Sequence, residues 1–374
     1  MLMVNFEHVD CQEAIEVFKD AATSADSLWI KRRRKVNSES LVTCMLKSLQ
    51  SNISVRSILD SIETCDFSGT AFQKALGRCP VNAFKHIYDR MISKCACSRR
   101  RVLAVDGSKI PMGKSQTGFN GMGRYKSVPC GLLSAAFDVK SKTIVALDFS
   151  DKCDERSALV RMLDYVKAGD VLVMDRGYYS EALALILQEQ GVQFVFRMKK
   201  NVGLKTFTSI GARGYQTPLG VVGAMTNYEM SGSTFRLFHS NRIPASQAKE
   251  YYRQRWGVEE TFKTLKCTVK LNAKVYKARA KESVQKQMWV CAILHRLQQM
   301  VAIPAASRRK KPCNGVQIAC WFIHALCTGS CGAIKVKCGL LSQKTTDMKG
   351  DAGLTNLSKI QGGFVCVFVT LVTI

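Results

Sequence analysis

The sequence predicts a mixed α/β sheet flanked by helices, with an N-terminal helical domain and a β-rich insertion. Three observations predict it. Two short apolar runs, RVLAVD at 101–106 and VLVMD at 171–175, read as buried strands that each end on an aspartate. Helix-period segments alternate with strand-like ones between residues 100 and 198. Before residue 95 the apolar spacing is helical, and over 199–245 it gives way to glycine and short β-rich pieces.

The elements follow in order. Ala14, Ile15, Val17 and Phe18 mark a first amphipathic helix. Five basic residues, Lys31 to Lys35, come next. Helices are predicted over Leu41–Leu49, capped by Ser38 or Ser40, and over Val55–Ile62, capped by Ser54. Another follows Thr70 and breaks at Pro80. Short helices beside a basic run suit DNA contact, or else a solvated face on a helical cap. After RVLAVD comes a glycine-rich loop from Gly107 to Gly123. GLLSAAFDV (131–139) and TIVALDF (143–149) read as a strand pair. Asp154 should cap a helix carrying Leu159, Met162 and Leu163. Ser180 should cap another, and Val192–Met198 is the next strand. A helix is predicted from Ser246 to Lys266, and a further one from Ala278 that Pro304 closes.

A length of 374 residues allows two or three domains. With 47% hydrophobic and 22% charged residues, the composition is that of a globular protein and excludes disorder throughout. The net charge of +26 points to a polyanionic partner, nucleic acid first. No run reaches the ~18–20 apolar residues of a spanning helix, so no membrane partner is expected. The apolar end, Phe364–Ile374, is too short for an anchor and reads as a buried strand or an aggregation-prone tail. The N-terminus has no secretory pattern, so the sixteen cysteines are expected to be free thiols. Neither Cys95/Cys97 nor the cysteines around His324 show paired C-x-x-C spacing for zinc.

Candidate chemistry rests on carboxylates. Asp106 and Asp175 at neighbouring strand ends could hold a hard cation through oxygen. Each could equally be a turn residue or a helix cap. Tyr252, Arg255, Glu259 and Lys266 fall within an arc of about 60° if 246–266 is one helix. That face would offer a phenol, two cations and a carboxylate, beside an apolar stripe of Val258, Phe262 and Leu265. The bland alternative is an i,i+4 pair of Arg255 with Glu259, worth about 0.2–0.5 kcal/mol.

The spacing of Tyr252, Arg255, Glu259 and Lys266 resembles the signature of the DDE transposases of the insertion-sequence-four family. AVDGSKI, with Asp106, and VMDRGYYS, with Asp175, resemble that family's other two blocks and stand in the right order. The resemblance covers roughly residues 35–300. It implies an RNase H-like core and DNA strand cleavage and transfer at the ends of a mobile element. Asp106, Asp175 and Glu259 would be the catalytic, metal-holding acids for two Mg²⁺ ions, with Mn²⁺ as substitute. Tyr252, Arg255 and Lys266 would bind DNA phosphates. The implied partners are double-stranded DNA, as terminal inverted repeats and target, and a second copy in a homodimeric synaptic complex. An intracellular, DNA-associated location follows, nucleoid and nucleus both remaining open.

The expected layout is a helical DNA-binding domain at 1–95 and a catalytic domain at 100–300. The β-rich insertion at 199–245 interrupts the latter, and 301–374 matches no known pattern. Relatives that form a DNA hairpin can clamp a flipped base on an insertion tryptophan. Here Trp29, Trp256, Trp289 and Trp321 all lie elsewhere, leaving Phe207, Tyr215, Tyr228 and Phe235 as candidates for stacking. The alternative to an active transposase is a catalytically inactive DNA-binding descendant or inhibitor of transposition.

Overall fold

The computed structural model of the chain describes residues 8–9, 12–32, 34–51, 54–93, 100–112, 121–122, 129–199, 207–211, 214–230, 232–263, 281–309, 315–328 and 334–335. Lys266, Cys95, Cys97 and Phe364–Ile374 lie outside the described residues.

A two-residue strand, β1 (His8–Val9), precedes five helices: α1 (Gln12–Asp26), α2 (Ser38–Ser51), α3 (Val55–Ile58), α4 (Gly69–Arg78) and α5 (Val81–Ser93). Local capping sets their starts. The amide of Ser40 donates to Asn37 Oδ1 at 2.9 Å, so Asn37 caps α2 in place of either serine expected. Ser54 caps α3, accepting from the amide of Ser57. Ser68, two residues before the expected Thr70, caps α4 through the amide of Ala71.

The sheet forms from β2 (Val102–Pro111), β3 (Gly121–Met122), β4 (Pro129–Asp138), β5 (Thr143–Ser150), β6 (Val171–Met174) and β7 (Gln193–Arg197). It continues through β8 (Thr208–Ile210), β9 (Gly214–Gln216), β10 (Val222–Met230) and β11 (Ser233–Ser240). The order is β3-β4-β2-β6-β7-β11-β10-β9-β8, with β5 also paired to β4. β2, β6 and β7 run parallel, and β4 and β11 flank them antiparallel. This is a large mixed sheet. Residues 208–240 extend it through the pairing of β11 with β7.

Two helices join β5 to β6 and β6 to β7. They are α6 (Glu155–Met162), capped by Asp154, and α7 (Glu181–Glu189), capped by Ser180. After β11 come α8 (Ala245–Gln254) and α9 (Gly257–Lys263), then α10 (Lys281–Arg309), α11 (Gly315–Thr328) and β12 (Ile334–Lys335), which pairs with β1. Pro304 was expected to close α10, yet the helix runs past it. A proline inside a helix costs about 3 kcal/mol. The packing of α10 against α1, α2, α5 and α11 offsets that loss.

Side-chain alternation on β2 divides the core. Leu103 and Val105 face α6 and α7, meeting Leu159, Met162, Leu183 and Leu187. Ala104 faces the other way, into a cluster shared with Val258 and Phe262 of α9 and with α1–α5, α10 and α11. The helices of the first 93 residues and the sheet therefore share one continuous apolar core. Among the described residues no helix is long and apolar enough to cross a membrane. Cys44, Cys65, Cys79, Cys130, Cys153, Cys291 and Cys327 are free thiols.

Candidate active site

Asp106 does not end its strand. Antiparallel pairing with β4 carries β2 on to Pro111, opposite Cys130. The parallel ladder with β6 stops earlier, at Val105 opposite Met174. Asp106 and Asp175 therefore sit side by side, one step past the last parallel pair. Ligand sites of α/β sheets favour this position, where the strand ends leave backbone and side chains open. Sequence alone shows two acids after apolar runs. Their adjacency depends on the register.

The expected single helix over 246–266 is interrupted. α8 ends at Gln254 and α9 starts at Gly257. Between them, Arg255, Val258 and Glu259 bond back three residues rather than four, at 3.2, 3.1 and 3.1 Å. Gly257 favours the break. It propagates a helix poorly, and a Cβ there would stand 3.2 Å from the Phe137 ring. Tyr252 and Arg255 still reach the strand ends, and Glu259 comes with them through Arg255. The structure thus brings together five of the six candidate residues.

Arg255 is the hub. It is only 8% exposed. Its guanidinium donates to Asp106 Oδ2 at 3.2 Å and to Glu259 Oε1 at 2.9 Å. Burial pushes the Asp106 carboxyl above the ordinary carboxylate range; Arg255 and the Gly107 amide oppose the shift, while Glu259 and Asp175 add to it. The bland i,i+4 pair therefore exists, but as one limb of a bridge to a strand 149 residues away in sequence.

Asp175 has its own partners. Tyr252 donates to Asp175 Oδ1 at 3.2 Å, and Arg197 to the same oxygen at 3.3 Å. Arg197 also approaches the Tyr252 hydroxyl at 3.5 Å. Its guanidinium lies 4.0 Å from the Phe235 ring centroid. Burial raises the Tyr252 phenol, with the Asp175 charge adding to the shift.

Arg197 was not singled out in the sequence. Its signal was there, as the last residue of the strand beside the one leading to Asp175. The four aromatics considered for base stacking are mostly engaged. Phe207 and Tyr228 are buried, and Phe235 lies under Arg197. Trp256, by contrast, is 59% exposed beside Arg255.

The donor set is hard oxygen, which suits a divalent cation such as Mg²⁺. Among the described residues no three acidic, histidine or cysteine side chains stand close enough to hold a metal ion. Arg255 bridges Asp106 and Glu259, and Arg197 balances Asp175.

Residues 98–297, more than half of the chain, match the model of the transposase DDE domain family. The chain belongs to that family. Its function is accordingly DNA transposition, and its activity is DNA-cleaving nucleotidyl transfer. Enzymes of this family generally use divalent metal ions. No curated protein matches the chain. Among solved structures it is similar to piggyBac transposase in a synaptic complex with hairpin DNA. Identity is 12% and the TM-score 0.48, over 85% of this chain and 80% of that one.

Proposed function

We propose that this transposase is of the insertion-sequence-four type, built on an RNase H-like core, with Asp106, Asp175 and Glu259 as its catalytic acids. The observation that carries this reading is the placement of Asp106 beside Asp175, with Glu259 tied to Asp106 through Arg255. The strand order β5-β4-β2-β6-β7, with β4 antiparallel, supports the core assignment. Residues 1–95 form the helical DNA-binding domain and 100–300 the catalytic domain, with the β-rich insertion at 199–245 and 301–374 beyond. The substrate is double-stranded DNA at the element's inverted repeats and at the target, held by a homodimer.

The three carboxylates would hold two Mg²⁺ ions, or Mn²⁺ in their place. When bound, these supply Lewis-acid activation of the attacking oxygen and charge neutralisation at the leaving oxygen. The chain's own residues do the rest. Arg255 exchanges its carboxylate partners for a DNA phosphate, whose two oxygens match the guanidinium fork. Tyr252 and Lys266 grip neighbouring phosphates, and Arg197 holds the Asp175 carboxylate in position. Water attack on the scissile phosphate frees a 3′-hydroxyl at the element's end. That hydroxyl then attacks the other strand or the target. Most of the protein's contribution is position and charge.

The test is cleavage of the element's own end with its flanking DNA. Glu259→Gln should abolish cutting while end binding persists. Parallel loss of binding and cutting would remove Glu259 from the acid set. Tight binding by the wild type without cutting in Mg²⁺ or Mn²⁺ would instead favour an inactive descendant.

A further inference from the structure

Two thiols meet in the helical layer that packs against the sheet. Cys44 lies in α2 and is fully buried. Cys65 lies in the loop between α3 and α4 and is half-buried, with exposed Thr64 and Asp66 on either side. The two residues are 21 positions apart, yet their Sγ atoms stand 3.6 Å from each other and share a hydrogen bond. Closing that gap to the ~2.05 Å of a disulfide takes a movement of roughly 1.5 Å, within reach of a surface loop.

The surroundings give the two sulfurs different parts. Cys65 borders an open surface hollow of about 670 Å³, together with Lys35, Asp60, Glu63 and Asp66. A small solute reaches it there, while Cys44 is shielded behind it. The hydrogen bond with Cys44 lowers the Cys65 thiol below its ordinary range; the Thr64 hydroxyl adds to that shift, and burial and Glu39 oppose it. The same hydrogen bond, then burial, raises Cys44. The accessible sulfur is therefore the one that ionises, and the buried one keeps its proton. The backbone holds Cys65 in place from the other side. The Thr64 amide donates to the Cys327 carbonyl at 3.2 Å, and its hydroxyl to the Leu326 carbonyl at 3.0 Å, both in α11. The Cys327 thiol is near enough to bear on both sulfurs, but no hydrogen bond joins it to either.

We propose that Cys44 and Cys65 are an oxidisable dithiol, a modification site whose substrate is a hydroperoxide. The Cys65 thiolate attacks the peroxide O–O bond; an S–O bond forms, and hydroxide leaves with the proton that Cys65 gave up. The Cys44 thiol then attacks the Cys65 sulfur. The S–S bond forms, the S–O bond breaks, and the Cys44 proton leaves with the oxygen as water. Two thiols lose two electrons, and hydrogen peroxide is reduced to two waters. The disulfide fixes the loop, with its contacts to α11, on α2.

The experiment is peptide mapping of the reduced full-length protein after brief exposure to hydrogen peroxide. The first disulfide should join Cys44 to Cys65, and dithiothreitol should release it. In Cys44→Ser, Cys65 should stop at the sulfenic acid and be captured by dimedone. If Cys44→Ser does not fold, Cys44→Ala takes its place. Melting temperature is the second readout, in a Cys153→Ser background that removes another touching pair, Cys130 and Cys153 at 3.7 Å. Peroxide should raise it by about 2–4 °C, and Cys65→Ser should abolish the rise. A Cys44–Cys65 disulfide without that rise overturns its role as a brace on the loop. Linkage of Cys65 to Cys327 or to any other thiol overturns the assignment of Cys44 as its partner. Cys65 that stays a free thiol in the folded protein overturns the proposal and leaves the pair as two packed side chains.

Discussion

The acids at the strand ends and His295 and Cys291 in the helical layer packed against the sheet meet the cost of burial in different ways. At the strand ends, carboxylates and guanidiniums are paired. Arg255 is bonded to two acids, and Asp175 to Arg197 and Tyr252. In the helical layer two buried groups, His295 and Cys291, are kept neutral, although Lys286 and Arg296 of the same helix are buried too. His295 in α10 is buried and its pKa is pushed down to about 4, by burial and by neighbouring Arg296. The Cys291 thiol in the same helix is raised by burial alone. Burial penalises charge in both places. Counter-charges offset the penalty at the strand ends, whereas at His295 and Cys291 loss of charge avoids it.

The largest test of that contrast is acid stability. His295 has a folded-state pKa of about 4 against an ordinary 6.5. Between those values the unfolded chain takes a proton that the folded chain refuses. Stability should therefore fall as pH drops from 6.5 towards 4, by up to about 3 kcal/mol from this group. Urea unfolding of His295→Leu across that window should show a flatter pH slope than the wild type. An unchanged slope would mean that the helical layer admits a charged histidine after all.

Next comes Arg255→Ala, which strands two carboxylates. Breaking a fully buried pair costs about 3–5 kcal/mol, but the Glu259 side chain is 36% exposed. The expected loss is about 2 kcal/mol in urea, larger at pH 8 than at pH 5 because protonation of Asp106 relieves it. A gain in stability would show that the acids do not depend on this cation.

Arg197→Ala should cost less, about 1 kcal/mol, since both partners are more exposed than Arg255 and Asp106. Its clearer signature should be a lowered Tyr252–Asp175 coupling in a double-mutant cycle. The smallest effect belongs to the exposed pair of Lys35 and Asp66, at 2.9 Å. Asp66→Asn should leave the melting temperature unchanged within error. A measurable drop there would blur the distinction between surface and site.

Local signals were legible where short-range chemistry decides. The Asp154 and Ser180 caps, the β4–β5 turn and the strands leading to Asp106 and Asp175 follow from adjacent residues. The break before Gly257 was not legible, because it depends on Phe137 from β4 pressing on a glycine. Arg197 was missed for the same kind of reason. It lies 22 residues from Asp175 along the chain, and only strand order brings it there. The course of α10 past Pro304 was misjudged because proline propensity is local while the packing of α10 is not.

By itself the sequence determined the helix caps, the apolar alternation of the strands, the basic charge of the chain and the acids that follow its two parallel strands. These are properties of neighbouring residues, set by backbone sterics and by the periods of strand and helix. The tertiary structure decided that β6 ends beside Asp106, that Arg255 spans two acids, and that Arg197 reaches Asp175. Those features depend on register and close approach between distant segments, where a shift of one residue would turn each side chain to the other face.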